Sequence, residues 1–392
     1  MTAAKVYTEG IVPLKVWTDS LEEEALEQAL HMTNLPFSFR HAAVMADGHR
    51  GYGVPIGAVL VTRNVVVPYA VGVDCGCGVR AWKTEFTVEE FMPKRDEVMK
   101  LIQELVPVGF HKHPVLQDDW LENSGIATCE IPVVDREYDN SRMSLGTLGG
   151  GNHFIEIQAD EDDNVWAMIH SGSRNLGKQV CDQYNKVAED LNARWHSAVP
   201  KEWQLAFLPV ESDEGQSYLR EMNLCLEFAK ANRNRMMESV NVAFSQRGLK
   251  TSLPKVIDVH HNYAAIENHF KSNVWVHRKG AVKAVGTVLI PGSMGSHSYI
   301  GKGLESPESF KSCSHGAGRS MGRRAALRAI EESDVLAEMK VANIGLYVAN
   351  STGVAAESRQ SYHDIDVVMA NQSDLVEITQ KLRPLAVVKD VK

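Results

Sequence analysis

GAVLVTRNVVVPYAVGVD, residues 57–74, is the stretch on which the reading of the fold turns. Its Val-rich halves read as two short strands running into a glycine turn, because β-branched residues suit a pleated, half-buried surface. Downstream, Val165–His170 and Val256–His260 read as buried strands that deliver His170, His260 and His261 at their C-terminal ends. Between them, Asn175–Trp195 and Ser217–Phe244 carry the longest helical patterns, the second with Leu219, Met222, Leu226 and Ala229 on one face. Strands return at Val274–Arg278, Ala284–Ile290 and Asn343–Val348, interrupted by a helix from Arg319 to about Met339. Upstream, Ser20-Leu-Glu-Glu23 reads as a capping box for a helix to Met32. Val88–Leu105 reads as a further helix, and Gln117–Ser144 as a polar loop. Strands and helices interleave without a regular βαβ rhythm, so the expected class is α+β, as one large domain over residues 1–392.

Composition narrows the function. The chain has 392 residues, 44% of them hydrophobic and 23% charged, which is ordinary for a globular protein with a full-sized core. No apolar run approaches the roughly 18 residues needed to span a bilayer. The N-terminal stretch lacks the basic flank and apolar block of a secretory signal. Six cysteines (75, 77, 129, 181, 225, 313) are too sparse for a disulfide scaffold and suit a reducing cytoplasm. Membrane, secreted and fibrous classes are thereby excluded. A net charge of −9 argues against a general coat of nucleic-acid affinity but leaves room for a local basic groove.

Histidines and glycines concentrate in six segments: ADGHRGYG (46–53), VGVDCGCG (71–78), GGGNHFIE (149–156), HSGSR (170–174), DVHHN (258–262) and SCSHGAGR (312–319). Asp74 and Cys77 sit three residues apart on a glycine turn and can reach one site. A carboxylate with a thiolate suits a borderline ion such as manganese or zinc; the alternative is a structural cysteine turn. His153, His170 and His261 each adjoin an apolar strand pattern, where a histidine is commonly a satisfied core residue. Together with Asp74 and Cys77 they make an inventory sufficient for two metals if the thiolate bridges them, and two ions can clamp both ends of a phosphoryl displacement. None of the compact zinc spacings occurs, nor does a P-loop or a dinucleotide fingerprint. His315, followed by Gly-Ala-Gly and then Arg319, Arg323, Arg324 and Arg328, reads either as a nucleophile at a phosphate-binding helix start or as a helix start with a solvated basic face.

The ordered set DGHRGYGxPIG, VGVDxxCG, GGGNHFIE, HSGSR, HHN, RKGA, PGSMG, CSHGAGR and LRPLAVVK, running from about Pro36 to Lys389, resembles the RtcB family of RNA ligases. The resemblance implies a cleft lined by glycine-rich loops that holds metal and nucleotide. It also implies joining of an RNA 3′-phosphate or 2′,3′-cyclic phosphate to a 5′-hydroxyl with GTP and two manganese ions. His315 would attack the α-phosphorus of GTP and carry GMP. The implied metal ligands are Asp74, Cys77, His153, His170 and His261, with Cys77 bridging. The implied nucleotide contacts begin with Asn152, His153, Phe154, Ile155 and Glu156. They continue with Arg174, His261 and Asn262, then Pro291, Gly292, Ser293, Met294 and Ser298. Gly316, Ala317 and Gly318 beside His315 follow, with Tyr362 and Lys389; read on its own, Lys389 is a solvated tail lysine. Asp47 and His49 match a segment near the site without an assigned role. Implied partners are RNAs with broken ends, such as transfer or ribosomal RNA fragments; no activating protein is specified and no membrane is involved.

Two departures stand out. Cys75 replaces the family's usual apolar residue, and the region from Lys112 to Met143 is shortened. RNA contact is expected from a patch including Arg278, Lys279, Lys302, Lys311 and the arginines after His315. The competing functions are a metal-dependent phosphodiesterase or phosphatase acting on RNA ends, and a non-catalytic RNA-binding relative. The first needs neither His315 nor Lys389, and the second needs none of the six chemistry-bearing residues.

Overall fold

A computed structural model describes residues 5–390 apart from 127–128, 252–254 and 349–350. Two sheets organise it. The six-stranded sheet runs in the order Lys5–Tyr7, Leu14–Val16, Ala42–His49, Ile56–Thr62, Ser272–Lys279, Asn262–His269. The eight-stranded sheet runs Val256–His260, Gly78–Thr87, Asn164–Ser171, Phe154–Ala159, Val376–Lys389, Ser298–Leu304, Val285–Ile290, with Gly345–Val348 parallel to the end of Val376–Lys389. The class is α+β, as the irregular order of strands and helices suggested.

The 34-residue helix Asp213–Gln246 lies against the eight-stranded sheet. Ser212 caps it, its Oγ accepting the Gly215 N–H, and Asp213 and Glu214 complement the helix dipole. Met236, Val240 and Phe244 of this helix, with Val98 and Ile102 of helix Arg95–Leu105, pack on Trp82, Ile155, Ile157, Val165 and Leu385 of the sheet. On the opposite face Met168, Leu289, Ile300 and Leu382 pack on Ile330, Val335 and Met339. Among the described residues no helix is long and apolar enough to cross a membrane.

Several elements differ from expectation. The second half of the opening stretch is a two-residue strand, Val65–Val66, followed by a one-turn helix, Pro68–Val71, with proline at its first position where the missing N–H costs nothing. The first helix starts at Glu23 with Glu22 as its N-cap and no side-chain cap, so the Ser20 capping box does not form. Pro93 breaks Val88–Leu105 into Val88–Phe91 and Arg95–Leu105, and Thr87 with Glu90 makes the capping box there. Pro132–Ser144, expected as loop, is a helix whose first N–H groups, Val133 and Val134, donate to the buried Glu221 at 2.7 Å. Such a tertiary cap leaves no local signature. The helix expected from Arg319 is two, Arg323–Ala329 and Glu332–Val341, and His315 instead follows the strand Ser312–Ser314. His315 is therefore not at a helix N-terminus, and the dipole argument for a phosphate there falls away.

Candidate active site, a thiolate shared between two ligand sets

The loop Gly72–Cys77 links the helix Pro68–Val71 to the strand Gly78–Thr87. Gly76 has φ +79°, and a Cβ there would lie 2.8 Å from the Cys225 carbonyl oxygen, so the turn presses onto the long helix only as glycine. The Cys77 N–H closes it on Asp74 O at 3.0 Å, and Asn262 Nδ2 donates to the same oxygen at 3.0 Å. The two thiols part company here. Cys77 Sγ lies 3.4 Å from His153 Nε2 and 3.3 Å from His170 Nε2. Cys75 faces the apolar cluster of Val66, Leu176 and Val180, its Sγ 3.5 Å from Gly72 O. Burial pushes the Cys75 thiol well up, and its surroundings are apolar rather than the imidazoles that face Cys77.

Asp74, Cys77 and His153 form one set of ligand atoms and Cys77, His170 and His261 a second, each set lying within 4.8 Å. Cys77 belongs to both. Leu148 O and Asn152 O hold the Nδ1 atoms of His153 and His170 at 3.0 and 3.1 Å, leaving each Nε2 to face the thiol. Burial drives His170 and His261 well below the usual histidine range, so both are neutral, the form that ligates. His261 Nδ1 is buried without a hydrogen-bond partner among the described residues. Burial raises the Asp74 carboxyl, yet His153 and the Ser173 donors outweigh it and hold Asp74 well below the carboxylate range. Burial also pushes the Cys77 thiol up, a cost that a bound cation reverses. Neutral imidazoles, one carboxylate, a shared sulfur and an orphaned ring nitrogen fit a pair of divalent cations.

The long helix supplies the floor. Arg233 is fully buried and donates to Gly76 O and Ser171 O, each at 3.1 Å, and to Asp258 at 2.6 Å. Burial would raise Asp258; Arg233 and Arg80 bring it down to about 2. Asn232 ties Thr147, Ser171 and Gly172 together, fixing the loops that precede His153 and follow His170.

His315 stands beside this centre, its ring 4.7 Å from that of His261. Its Nδ1 contacts Asp47 Oδ2 at 2.6 Å, and the N–H groups of His315 and Gly316 donate to the same oxygen. Asp47 is completely buried, at an irregularity between Ala42–His49 and Ile56–Thr62. The pairing fixes the ring with Nε2 as the unengaged nitrogen. His49 Nδ1 lies 2.9 Å from Asp47 O, and burial lowers its pKa to about 4.

All this opens into a cavity of about 1110 Å3. Asp74, Cys77, His170, His261 and His315 line it, as do Asn152, Phe154, Glu156 and Asn262, Pro291–Met294, Gly316–Gly318, Tyr362 and Lys389. Its far end is organised by Glu357, which no motif flagged. This buried carboxylate receives Arg319 and Arg323 at 3.3 Å, Lys389 at 3.2 Å and the Tyr362 hydroxyl at 2.7 Å. Lys389 is thus no solvated tail residue; burial lowers its pKa although Glu357 opposes. Burial raises Glu156 to about 7.

Four expected contacts sit outside the cavity lining, among them His153, whose Nε2 faces Cys77 Sγ. Ser298 Oγ accepts from Gln158 Nε2 and the Gly292 N–H, holding the 291–294 loop from behind. Arg174 lies behind the metal ligands, donating to Thr147 Oγ1 at 3.0 Å and Gly109 O at 2.7 Å. Ile155 is buried on the opposite face of its strand, in the core under the long helix. Two members of the expected basic patch are withdrawn from the surface: Arg278 is fully buried against Glu267, and Lys279 is buried with its Nζ on Tyr52 O and Val54 O, whereas Lys302, Arg323, Arg324 and Arg328 are exposed.

A family model described as tRNA-splicing ligase RtcB matches residues 28–390. The chain is 37% identical to the RNA-splicing ligase RtcB of Escherichia coli K12, covering 96% of this chain and 97% of that protein. It is 31% identical to the tRNA-splicing ligase RtcB of Thermococcus kodakarensis (96% and 95% covered) and 32% identical to the RNA-splicing ligase RtcB of Mycobacterium tuberculosis H37Rv (92% and 100%). With a match of that extent, and a shared thiol flanked by histidines on each side, this chain belongs to the RtcB family.

Proposed function

We propose that this chain is a cytoplasmic RNA ligase, working as one catalytic domain. It joins an RNA 3′-phosphate, or a 2′,3′-cyclic phosphate after opening, to a 5′-hydroxyl at the expense of GTP. The observation that carries this reading is His315, oriented by Asp47 and packed on His261 at the edge of two ligand sets that share Cys77. The splicing-ligase names of its relatives support it. Two manganese ions held by Asp74, Cys77, His153, His170 and His261 would supply charge neutralisation at the phosphate oxygens.

His315 is the nucleophile. Asp47 engages Nδ1, so the lone pair at Nε2 forms the bond to the α-phosphorus of GTP while the bond to the bridging oxygen breaks and pyrophosphate leaves. The buried Asp47 carboxylate offsets the positive charge the ring acquires. An oxygen of the RNA 3′-phosphate then takes the guanylate from Nε2 and frees His315. The 5′-hydroxyl oxygen attacks that activated phosphorus, GMP departs, and the hydroxyl proton passes to solvent. Asn152, Phe154, Glu156, Pro291–Met294, Gly316–Gly318, Tyr362 and Lys389 hold the nucleotide, with Glu357 keeping the cations in place.

Intact-protein mass spectrometry after incubation with GTP and manganese tests the reading. Wild type is expected to gain one GMP and His315→Ala none, while metal content stays equal. No adduct in wild type, with metal bound, favours instead a metal-dependent phosphodiesterase acting on RNA ends.

A further inference from the structure

Four tyrosine and phenylalanine side chains line the cavity, and they fall into two pairs. Phe154 and Tyr362 are engaged by cations: Lys389 Nζ stands 5.7 Å from the centre of the Phe154 ring, and the Arg319 guanidinium 4.8 Å from that of Tyr362. Tyr52 and Tyr69 are not. Among the described residues neither ring meets another aromatic or a cation, and neither hydroxyl makes a hydrogen bond. The Tyr52 side chain is 67% exposed, yet its loop is fixed. Gln28 Nε2 donates to Gly51 O at 2.8 Å, and Gln28 Oε1 accepts the Gly51 N–H at 3.1 Å. Tyr52 O accepts the Val54 N–H at 2.8 Å and a proton of Lys279 Nζ. Gly53 has φ +69°, and a Cβ there would lie 2.7 Å from Gln204 O and 3.3 Å from Tyr69 Cβ, so the loop closes on its neighbours only as glycine.

Both tyrosines are tied to the reacting groups. Tyr69 belongs to the one-turn helix Pro68–Val71, which leads directly into the Gly72–Cys77 loop and its ligand Asp74. Lys279, which holds the Tyr52 carbonyl, packs its methylenes against Gly72. The next residue is Gly280, where a Cβ would lie 3.1 Å from His315 Cε1. Glu22 and Glu24, at the start of the helix that carries Gln28, line the cavity as well, and Glu24 pairs with Arg50. Carboxylates repel a phosphate but accept hydrogen bonds from base amino groups and ribose hydroxyls. The Tyr52 side of the cavity therefore suits the uncharged part of a nucleotide, as the side with Arg319, Arg323 and Lys389 suits its phosphates. A rigidly held aromatic face beside such acceptors is what a base stacks on.

We propose that Tyr52, walled by Tyr69, is the stacking face of a subsite for the terminal base of an RNA end being joined. The proposal rests on the RNA-ligase reading and names how that enzyme seats its strand.

The test crosses Tyr52→Ala with RNA that carries an abasic ribose at its last position, in one arm at a 3′-phosphate end and in the other at a 5′-hydroxyl end. Full-length protein loaded with manganese is titrated with labelled single strands, and GMP attachment is measured separately without RNA. Tyr52→Ala is expected to weaken binding of intact RNA by about 10-fold or more in at least one arm, in line with the loss of one base stack. In that arm wild type should bind the abasic strand as weakly, and the substitution should cost nothing further, because both changes remove the same contact. Tyr52→Phe keeps the affinity for intact RNA. The coupled arm identifies the strand. No loss in either arm, or losses that simply add in both, overturns the proposal. A higher GTP requirement for the adduct in Tyr52→Ala also overturns it, by putting the guanine of GTP on this ring. A wild type that shows the coupling but never acquires GMP would sink the ligase reading and leave the subsite standing.

Discussion

The two ends of the cleft solve opposite electrostatic problems. At the metal end, two neutral histidines, an unpartnered His261 Nδ1 and a thiol pushed up by burial leave a cluster that is unsatisfied by protein alone. At the other end, Arg319, Arg323, Lys389 and Tyr362 converge on the single buried carboxylate of Glu357, so positive charge is in excess there. The first end waits for cations. The second has cations of its own, kept on a carboxylate until an anionic ligand shares them. One cleft thereby sets ligand atoms left short of partners against cations held in excess over their carboxylate.

The contrast can be broken at the metal end first. Cys77→Ala is expected to abolish ligation and strip metal from both sets together, measured by metal analysis of the purified protein. Cys75→Ala, one turn away, should keep full metal content and cost only about 1 kcal/mol of stability. Equal metal loss in both would show that the turn does not sort its sulfurs as described. Asp47→Asn comes next: with the charge behind Nδ1 removed, the rate of GMP attachment should fall by about 10²–10⁴ while metal content stays unchanged. Adduct formation at the wild-type rate would make Asp47 a purely structural residue.

At the nucleotide end the effect is on stability. Burial would raise Glu357, but Lys389, Arg319 and Arg323 outweigh it and hold its pKa down to about 2. The folded value lies below the unfolded one, so its stabilisation is present above about pH 4.3 and is lost as pH falls towards 2. Glu357→Gln should therefore lose about 3–5 kcal/mol near neutrality, since three cations are left without their partner. It should also lack the wild type's decline between pH 4 and 2 in denaturant titrations. Parallel pH profiles would mean that the cations balance one another through some other group.

Much of this was legible in residue order. The strands ending at His170 and His260 lie within a residue or so of their expected bounds, as does the helix Leu176–Arg194, because periodicity and flanking turns agree there. The five expected ligands fall into two compact sets although they are scattered from Asp74 to His261, and family motifs rather than spacing pointed to them. What escaped was set by distant partners. The helix Pro132–Ser144 is capped by Glu221, so its own residues look like loop. Glu357 sits in a short 3-10 turn with nothing in VAAE to distinguish it from any surface glutamate. Asp47 acquires its role only through His315, 268 positions away, a pairing no local pattern encodes. The helix expected after His315 failed because an eight-residue loop, from His315 to Gly322, separates the histidine from Arg323.

The strand Val376–Lys389 crosses the middle of the larger sheet, pairing Val376–Leu382 with Ser298–Leu304 and Arg383–Lys389 with Phe154–Ala159. Lys389 thereby lies opposite Phe154, a separation of more than 200 positions. Contacts of such range make folding slow, because loop closure must be completed before any pairing rewards it. Until that strand inserts, Phe154–Ala159 and Ser298–Leu304 each present an open edge to whatever chain is near, and unpaired edges are templates for aggregation. The segment that brings Lys389 to the cleft is also the one that closes both of those edges.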